Sequence, residues 1–206
     1  MVPTGVMKII SHTGLREYSA SDHFDDRLPR KPVTPVGNTH DDSAAEPEYF
    51  LSLDRKMDYD KIFNVVKNTV RFVTGKERSG LGLALSDLPA TLGAFWQVGG
   101  NYIVMNQILI EAMSRLTQST REFNSFVYMI LTHEYLHSLG YIDEAAARKM
   151  TAEVAVKSFG KNHPAFTMSN GDLWTLYPQL RMLNGGTGQN IRIIGNFDSS
   201  STSYIA

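Results

Sequence analysis

The sequence predicts an α/β fold of the α+β type, in which a small, mixed, twisted sheet packs on helices around one central helix. Three observations predict it. Apolar residues recur at helical spacing through much of the chain, and short strand-like runs interrupt them between residues 80 and 105. One segment, residues 120–139, is apolar nearly all round, which places it at the centre of a domain. The composition, 42% hydrophobic and 20% charged, is that of an ordinary globular protein.

The chain divides into three predicted regions. Residues 1–49 are rich in Pro and Asp and poor in large apolar side chains, so they predict an extended N-terminal arm without a core of its own. Residues 50–184 contain the periodic segments and form the compact domain. Residues 185–206 are rich in Gly, Ser and Asn and predict a C-terminal tail. Each flanking region contains one strand-like run, at residues 7–11 and at residues 191–194.

The compact domain begins with a helix. Ile62, Val66, Val70 and Val73 follow helical spacing, and Gly75 fits the position just past a helix end. These residues predict an amphipathic helix whose apolar stripe faces the core.

Strands follow this first helix. Residues 80–88 begin with the apolar run GLGLAL, which predicts a buried strand. Residues 92–98 and 102–105 flank a Gly-Gly-Asn sequence, and this arrangement is typical of a hairpin. Asn106 then fits the cap of a helix that carries apolar residues at helical spacing.

Helices are predicted for most of the remaining domain. Residues 119–122 read Ser-Thr-Arg-Glu, a capping box, so the central helix is expected over residues 120–139, with Gly140 stopping it. A further helix is predicted over residues 143–159. Asp172 begins a last helical segment.

The central helix carries two histidines four residues apart. His133 and His137 are separated by about 400° of helical rotation, so they lie on one face and both imidazoles can reach one ion. Glu134 lies about 100° further round, where it can accept a proton from water bound to the ion. Two core histidines would be a plainer explanation, but a Glu inside an apolar helix is costly without a partner. The pattern therefore predicts a site for Zn²⁺ with Glu134 as general base.

Residues 133–143 read HEYLHSLGYID and resemble the metzincin signature of zinc peptidases, His-Glu-x-x-His-x-x-Gly-x-x-His. Gly140 matches the glycine at which the chain of that family turns sharply. The residue three positions later is the family's third ligand, and here it is Asp143 rather than His. A carboxylate is an acceptable zinc ligand. The resemblance thus implies that Asp143 completes the metal site of His133 and His137.

The same resemblance implies features farther from the motif. Residues 50–184 would be a zincin-like catalytic domain. The strand at residues 101–105, which precedes the metal helix, would be the edge strand along the cleft, where a peptide can bind as an added strand. A methionine-bearing turn would lie beneath the metal, and Met168 is the candidate for it.

The identity of the third ligand leaves alternatives open. Asp143 leads, although it also fits the N-cap of the following helix. Glu144 is the next candidate, because a longer carboxylate one residue on could reach the same ion. In gluzincins, another class of zinc peptidases, the third ligand is a Glu on a following helix, where Glu144 and Glu153 lie, although the spacer is usually longer. His163 is the remaining option.

The chemistry that this site implies is hydrolysis of peptide bonds. Zinc held by three protein ligands lowers the pKa of its bound water to about 7. Glu134 would take the proton as the zinc-bound water attacks a carbonyl, and would then pass it to the leaving amine. We therefore expect an endopeptidase that acts on peptide or protein substrates.

Two other functions compete with this expectation. The motif also resembles that of YbeY-type endoribonucleases, His-Gly-x-Leu-His-x-x-Gly-Tyr-Asp-His, in Leu136, Gly140, Tyr141 and the spacing to Asp143. It differs at Glu134, where that family has no acid, and this favours peptide hydrolysis. A net charge of −1 also speaks against RNA as a partner. A non-catalytic zinc protein is disfavoured because structural zinc sites commonly use cysteine, of which the chain has none.

The expected compartment follows from targeting signals. The first residues lack a basic segment followed by a long apolar run. No stretch approaches the roughly 20 apolar residues that span a bilayer. The sequence thus predicts a cytoplasmic protein without membrane contact.

Overall fold

The computed structural model describes residues 6–8 and 47–198 of the chain. Its helices are Tyr59–Thr74 (α1), Gln107–Leu116 (α2), Thr120–Ser138 (α3), Glu144–Phe159 (α4), Pro164–Asn170 (α5) and Leu173–Leu176 (α6), with a 3₁₀ helix at Pro178–Met182. Its strands are Val6–Lys8 (β1), Gly82–Ser86 (β2), Leu92–Trp96 (β3), Tyr102–Asn106 (β4) and Ile191–Ile194 (β5). The predicted mixed α/β class is confirmed. The arm predicted for residues 1–49 lies outside the described residues, apart from β1 and residues 47–49.

The five strands form one small mixed sheet in the order β1-β3-β4-β2-β5. β2 and β4 run parallel, whereas the other neighbouring strands are antiparallel. The predicted hairpin is present as β3 and β4, which pair from Ala94 with Met105 to Trp96 with Ile103.

The expectation that the strand before the metal helix forms a sheet edge is wrong. β4 lies between β3 and β2, and β2 pairs with it along its whole length, from Gly82 opposite Tyr102 to Ser86 opposite Asn106. Its backbone N–H and C=O groups are thus engaged within the sheet, so a peptide cannot add to this strand.

The central position predicted for the metal-motif helix is confirmed. Every residue of α3 from Asn124 to His137 is buried. The helix packs against four other helices, α1, α2, α4 and α5, and against strands β1, β3 and β4 of the sheet. No helix in the described ranges is long and apolar enough to cross a membrane.

Both ends of α3 are fixed by local signals. At the start, the Ser119 hydroxyl accepts a hydrogen bond from the backbone N–H of Glu122 at 3.1 Å. The Glu122 carboxylate accepts from the backbone N–H of Gln118, one residue earlier than in a standard capping box. At the other end, Gly140 adopts a φ of 99°, which residues with a side chain rarely tolerate.

One helix was not predicted, although its sequence carried a signal. α5 begins at Pro164, and the side chain of His163 caps it by accepting a hydrogen bond from the N–H of Ala165 at 3.1 Å. Proline at the first helical position is a common helix start, so Asn162-His163-Pro164 could have indicated this boundary.

The predicted C-terminal tail starts too early at residue 185. β5 pairs with β2 inside that region. Phe197 stacks on Phe63 of α1 with ring centroids 4.4 Å apart. Asp198 forms a buried ion pair with Lys67 of α1 at 2.6 Å and accepts a hydrogen bond from the N–H of Gly80 at 2.8 Å. The compact domain therefore extends to Asp198 at least.

The buried pair of Asp198 and Lys67 predicts a large cost when one partner is removed. We expect Asp198→Asn to lower the free energy of unfolding by about 3–5 kcal/mol, because Lys67 keeps its charge in the interior without the counter-charge. Chemical denaturation measures the loss. The control is Asp58→Asn, which removes an exposed ion pair with Lys61 and should change little. Equal losses in the two variants would contradict the prediction.

Candidate metal centre

Three side chains with metal-binding atoms converge at the end of α3. His133 and His137 place their Nε2 atoms 3.0 Å apart. The Nε2 atom of His133 lies 3.3 Å from one carboxylate oxygen of Glu144, and the Nε2 atom of His137 lies 3.3 Å from the other. Among the described residues, this is the group of His, Asp and Glu side chains whose ligand atoms are close enough together to hold a metal ion.

The chain turn at Gly140 brings the third member to the two histidines. His133 and His137 share one face of α3 because they are four residues apart. After Gly140, the backbone N–H of Tyr141 bonds back to the carbonyl of Leu136 at 3.1 Å, so the chain reverses at once. Glu144 is then the first residue of α4, and its side chain lies beside the two imidazoles.

A hydrogen bond within this turn fixes the tautomer of His137. The Nδ1 atom of His137 lies 2.7 Å from the carbonyl oxygen of Tyr141, which can only accept, so Nδ1 carries the hydrogen. In the neutral ring Nε2 is then an acceptor, and it faces an acceptor oxygen of Glu144 at 3.3 Å. A cation at this point would turn the contact into an attraction. Metal-binding histidines are oriented by such outer hydrogen bonds.

The distances within the cluster suit a small divalent ion. Zinc bonds of about 2.0–2.1 Å at tetrahedral angles place neighbouring ligand atoms about 3.3 Å apart. The two Nε2 atoms lie 3.0 Å apart, and each lies 3.3 Å from a different carboxylate oxygen of Glu144. Two imidazoles and one carboxylate are also a known ligand set for reactive zinc. The donor set and its spacing thus fit zinc.

The surroundings influence the charge state of the cluster. Burial lowers the pKa of His133 and favours the neutral, metal-binding form. Burial opposes ionisation of Glu144, but the hydrogen bond from His133 and the positive charge of Arg148 act in the other direction, and the pKa of Glu144 lies well below its usual range. The Arg148 guanidinium lies 3.4 Å from this carboxylate. Glu144 is thus a carboxylate at neutral pH.

The leading candidate for the third ligand, Asp143, is not brought to the cluster. Its carboxylate caps α4 by accepting a hydrogen bond from the N–H of Ala146 at 2.8 Å. A short side chain at an N-cap points towards the helix it caps, so the longer carboxylate one residue later is the group that lies beside His133 and His137. The geometry supports the alternative, Glu144.

His163 lies away from the cluster and is fully buried. Its ring stacks on Phe159 with centroids 4.7 Å apart and meets the edge of Phe50 at 5.6 Å. Since Nδ1 accepts the capping bond from Ala165, its role in the structure is to begin α5.

Met168 does not lie beneath the cluster. It belongs to α5, so the segment around it is a helix and the expected methionine-bearing turn is wrong. Met168 lines a surface pocket of about 330 Å³ together with Ser119 and Glu122, at the start of α3. On α3, His133 lies eleven residues beyond Glu122, which is about 16 Å along the helix axis.

Glu134, the predicted general base, follows His133 directly and is fully buried, at 0% exposure. A carboxylate in the interior requires a compensating charge or hydrogen bonds. A metal ion held by the adjacent His133 would supply positive charge to this region.

Arg78 connects the end of α3 to the sheet, and no sequence motif had pointed to it. Its guanidinium donates hydrogen bonds to the carbonyl of Ser138 at 3.3 Å and to the carbonyl of Gly100 at 3.0 Å, so it connects the end of α3 to the β3–β4 turn. Its backbone N–H donates to the hydroxyl of Tyr135 at 2.7 Å. A positive charge at a helix C-terminus is also favourable.

Comparison with known protein families, with curated proteins and with solved structures finds no match to this chain. The functional assignment consequently depends on the geometry and chemistry of the site itself.

Replacing Glu144 and replacing its neighbour Asp143 should have different effects on metal binding. We expect Glu144→Ala to weaken zinc affinity by at least about tenfold through loss of a ligand. Asp143→Ala should keep zinc and lower the free energy of unfolding by about 1 kcal/mol through loss of the helix cap. Competition titration with a zinc indicator and chemical denaturation measure the two effects. Loss of zinc in Asp143→Ala alone would reverse the ligand assignment.

His163 predicts a loss of stability at acidic pH. Burial lowers the pKa of His163 to about 4, from 6.5, so the unfolded chain binds a proton more readily between these values. The stability that neutral, buried His163 contributes is complete above pH 6.5 and is lost as the pH falls towards 4. The free energy of unfolding should fall by roughly 1–2 kcal/mol between pH 7 and pH 5. Denaturation at both pH values should show a smaller loss for His163→Asn, since Asn can also cap α5. An equal loss in this variant would exclude His163 as the cause.

Proposed function

We propose that the protein is a zinc-dependent hydrolase that cleaves peptide bonds within peptide or protein substrates. The observation that carries the proposal is the convergence of His133, His137 and Glu144 at separations that suit zinc, with Glu134 directly beside His133 in sequence. A set of two histidines and one glutamate leaves a coordination position open for reaction.

A zinc ion held by His133, His137 and Glu144 would act as a Lewis acid and would make water nucleophilic near neutral pH. Glu134 is the base that accepts a proton from the attacking water and then donates it to the nitrogen of the leaving amine. His137 is held in its metal-binding tautomer by the carbonyl of Tyr141. Glu144 contributes negative charge from the first turn of α4.

Peptide hydrolysis is favoured over RNA hydrolysis by Glu134 and by overall charge. Cleavage of an amide requires a proton for the leaving nitrogen, and a carboxylic acid beside the nucleophile supplies it. RNA binding relies on basic surfaces, whereas this chain has 20 Lys and Arg against 21 Asp and Glu. The substrate peptide is held by groups other than β4, because that strand is paired on both sides.

The proposal is tested by offering both substrate classes to the zinc-loaded protein. We expect cleavage of a denatured protein and no cleavage of structured RNA, and a chelator should abolish the activity until zinc is restored. Cleavage of RNA alone would replace the proposal with the endoribonuclease alternative. Zinc binding without cleavage of either substrate would favour a non-catalytic zinc protein.

Glu134→Gln separates catalysis from metal binding. The amide keeps the shape of the side chain but cannot accept the proton, so we expect peptide cleavage to fall by roughly 10²–10⁴-fold while the zinc content stays the same. Glu111→Gln, an exposed position on α2, is the matched control and should retain full activity. Cleavage at the original rate in Glu134→Gln would assign the base to another residue.

A further inference from the structure

The surface pocket at the start of α3 combines apolar walls with polar groups. Its volume of about 330 Å³ is within the range of small-ligand sites. Two of its lining residues, Met168 and Tyr177, are buried, and Pro164 and Leu176 add further apolar side chains. The lining also includes four polar side chains, those of Ser119, Glu122, Asn162 and Thr167.

Glu122 gives this pocket a negative charge. Among the described residues that line the pocket, no other carries a charged side chain. Within residues 47–198, no Lys, Arg or His forms an ion pair with the Glu122 carboxylate, and the neighbouring Arg121 is paired with Asp54. The N-terminus of α3 contributes a partial positive charge of roughly half an elementary charge, which is smaller than the full charge of a carboxylate. The pocket therefore favours a cationic ligand.

The hydrogen bonds of Glu122 favour an ammonium group over a guanidinium. One carboxylate oxygen accepts the hydroxyl hydrogen of Tyr177, and the other accepts the backbone N–H of Gln118. A carboxylate has about four lone-pair positions, so each oxygen can accept once more. A guanidinium binds best as a planar fork that uses both oxygens in one plane, whereas an ammonium is a compact charge that needs only one oxygen.

Hydroxyl oxygens in the lining can complete the contacts of an ammonium, which has three N–H donors and no acceptor. The Thr167 hydroxyl donates to the carbonyl of His163 at 3.4 Å and accepts none of the hydrogen bonds formed among the described residues. The Ser119 hydroxyl accepts one bond, from the N–H of Glu122, and has a second lone pair. The buried Met168 and Tyr177 offer apolar surface to an aliphatic stem.

We propose that this pocket binds a primary ammonium group on an aliphatic stem, and that Glu122 is the residue that binds its charge. The ligand is a free alkylamine or the side chain of a lysine in a peptide, because both present the same group. The site goes beyond the proposed hydrolase activity, since it uses neither the metal cluster nor Glu134.

A simpler role for Glu122 is structural, because its carboxylate bonds the backbone at the start of α3 and the hydroxyl of Tyr177. Glu122→Gln separates the two roles. Glutamine has nearly the same shape, can also occupy this position of a capping box and can donate to the Tyr177 hydroxyl, but it carries no charge. A purely structural role predicts equal binding of amines by the wild-type protein and this variant, whereas the proposal predicts weaker binding.

NMR titration of the full-length protein with n-pentylammonium, and with the neutral n-pentanol, tests the proposal. The matched control is Glu111→Gln, an exposed carboxylate on α2 that does not line the pocket. We expect the affinity for n-pentylammonium to fall about ten- to hundredfold in Glu122→Gln and to stay the same in Glu111→Gln. In the wild-type protein, n-pentanol should bind at least about tenfold more weakly than the amine. Equal affinity of Glu122→Gln and the wild-type protein for the amine, or no binding of the amine by the wild-type protein, would overturn the proposal.

A second variant tests the location without altering Glu122. Thr167→Phe replaces an exposed lining residue of α5 with a larger side chain, which narrows the pocket and removes one acceptor oxygen. We expect it to weaken binding of n-pentylammonium as well, with an unchanged unfolding temperature. Binding at the wild-type affinity would show that the amine does not occupy this pocket.

Lysine peptides distinguish the two sources of the ammonium group. Acetyl-glycyl-lysyl-glycine amide is titrated alongside the same peptide acetylated on the lysine nitrogen. Binding at least as tight as that of n-pentylammonium, and lost on acetylation, would identify a lysine side chain as the ligand, whereas binding of the free amine alone would identify an alkylamine. Binding of the peptide that survives acetylation would contradict the role of the ammonium. The titrations need no zinc and no peptide cleavage, so their outcome is independent of the proposed function.

Discussion

The proposed metal site depends on one contact between acceptor atoms, which a bound cation would turn into an attraction. The carbonyl of Tyr141 accepts a hydrogen bond from Nδ1 of His137, so the Nε2 atom of this ring faces the carboxylate of Glu144 as acceptor to acceptor at 3.3 Å. Such a contact is unfavourable unless a positive charge lies between the two groups. Zinc would provide that charge and would join α3 to the start of α4. Binding of a metal by such a site would also stabilise the folded state.

The arrangement of the fold around α3 explains how the site can be held rigidly. α3 is enclosed by helices on several sides and by the sheet, so its histidines have little freedom to move. Arg78 links the carbonyl at the end of α3 to the turn between β3 and β4. The Gly140 turn then fixes where α4 begins. A helix, a glycine turn and a capped helix thus follow one another directly in the chain. This succession forms the cluster from residues within twelve positions of one another.

The sequence predicted local features well and non-local features poorly. The bounds of α3, its two histidines and the turn at Gly140 follow from caps and spacing, which are properties of neighbouring residues. The choice between Asp143 and Glu144 depends on where each side chain points after the turn, and a signature taken from another family cannot decide it. The position of β4 inside the sheet was not predictable, because it depends on the parallel pairing of β4 with β2, which are separated along the chain by β3. β5 then joins the sheet beside β2 from a distant part of the chain. The same long range explains why the buried pair of Lys67 and Asp198 was missed.

Metal content is the measurement that tests the account most directly. Elemental analysis of protein purified without added metal, followed by titration of the stripped protein with zinc, gives the number of ions per chain. We expect one zinc per chain in the wild-type protein, a higher unfolding temperature with zinc than without, and neither effect when both His133 and His137 are replaced by Ala. A folded wild-type protein that takes up no divalent metal, or binds it equally well without these two histidines, would contradict the account.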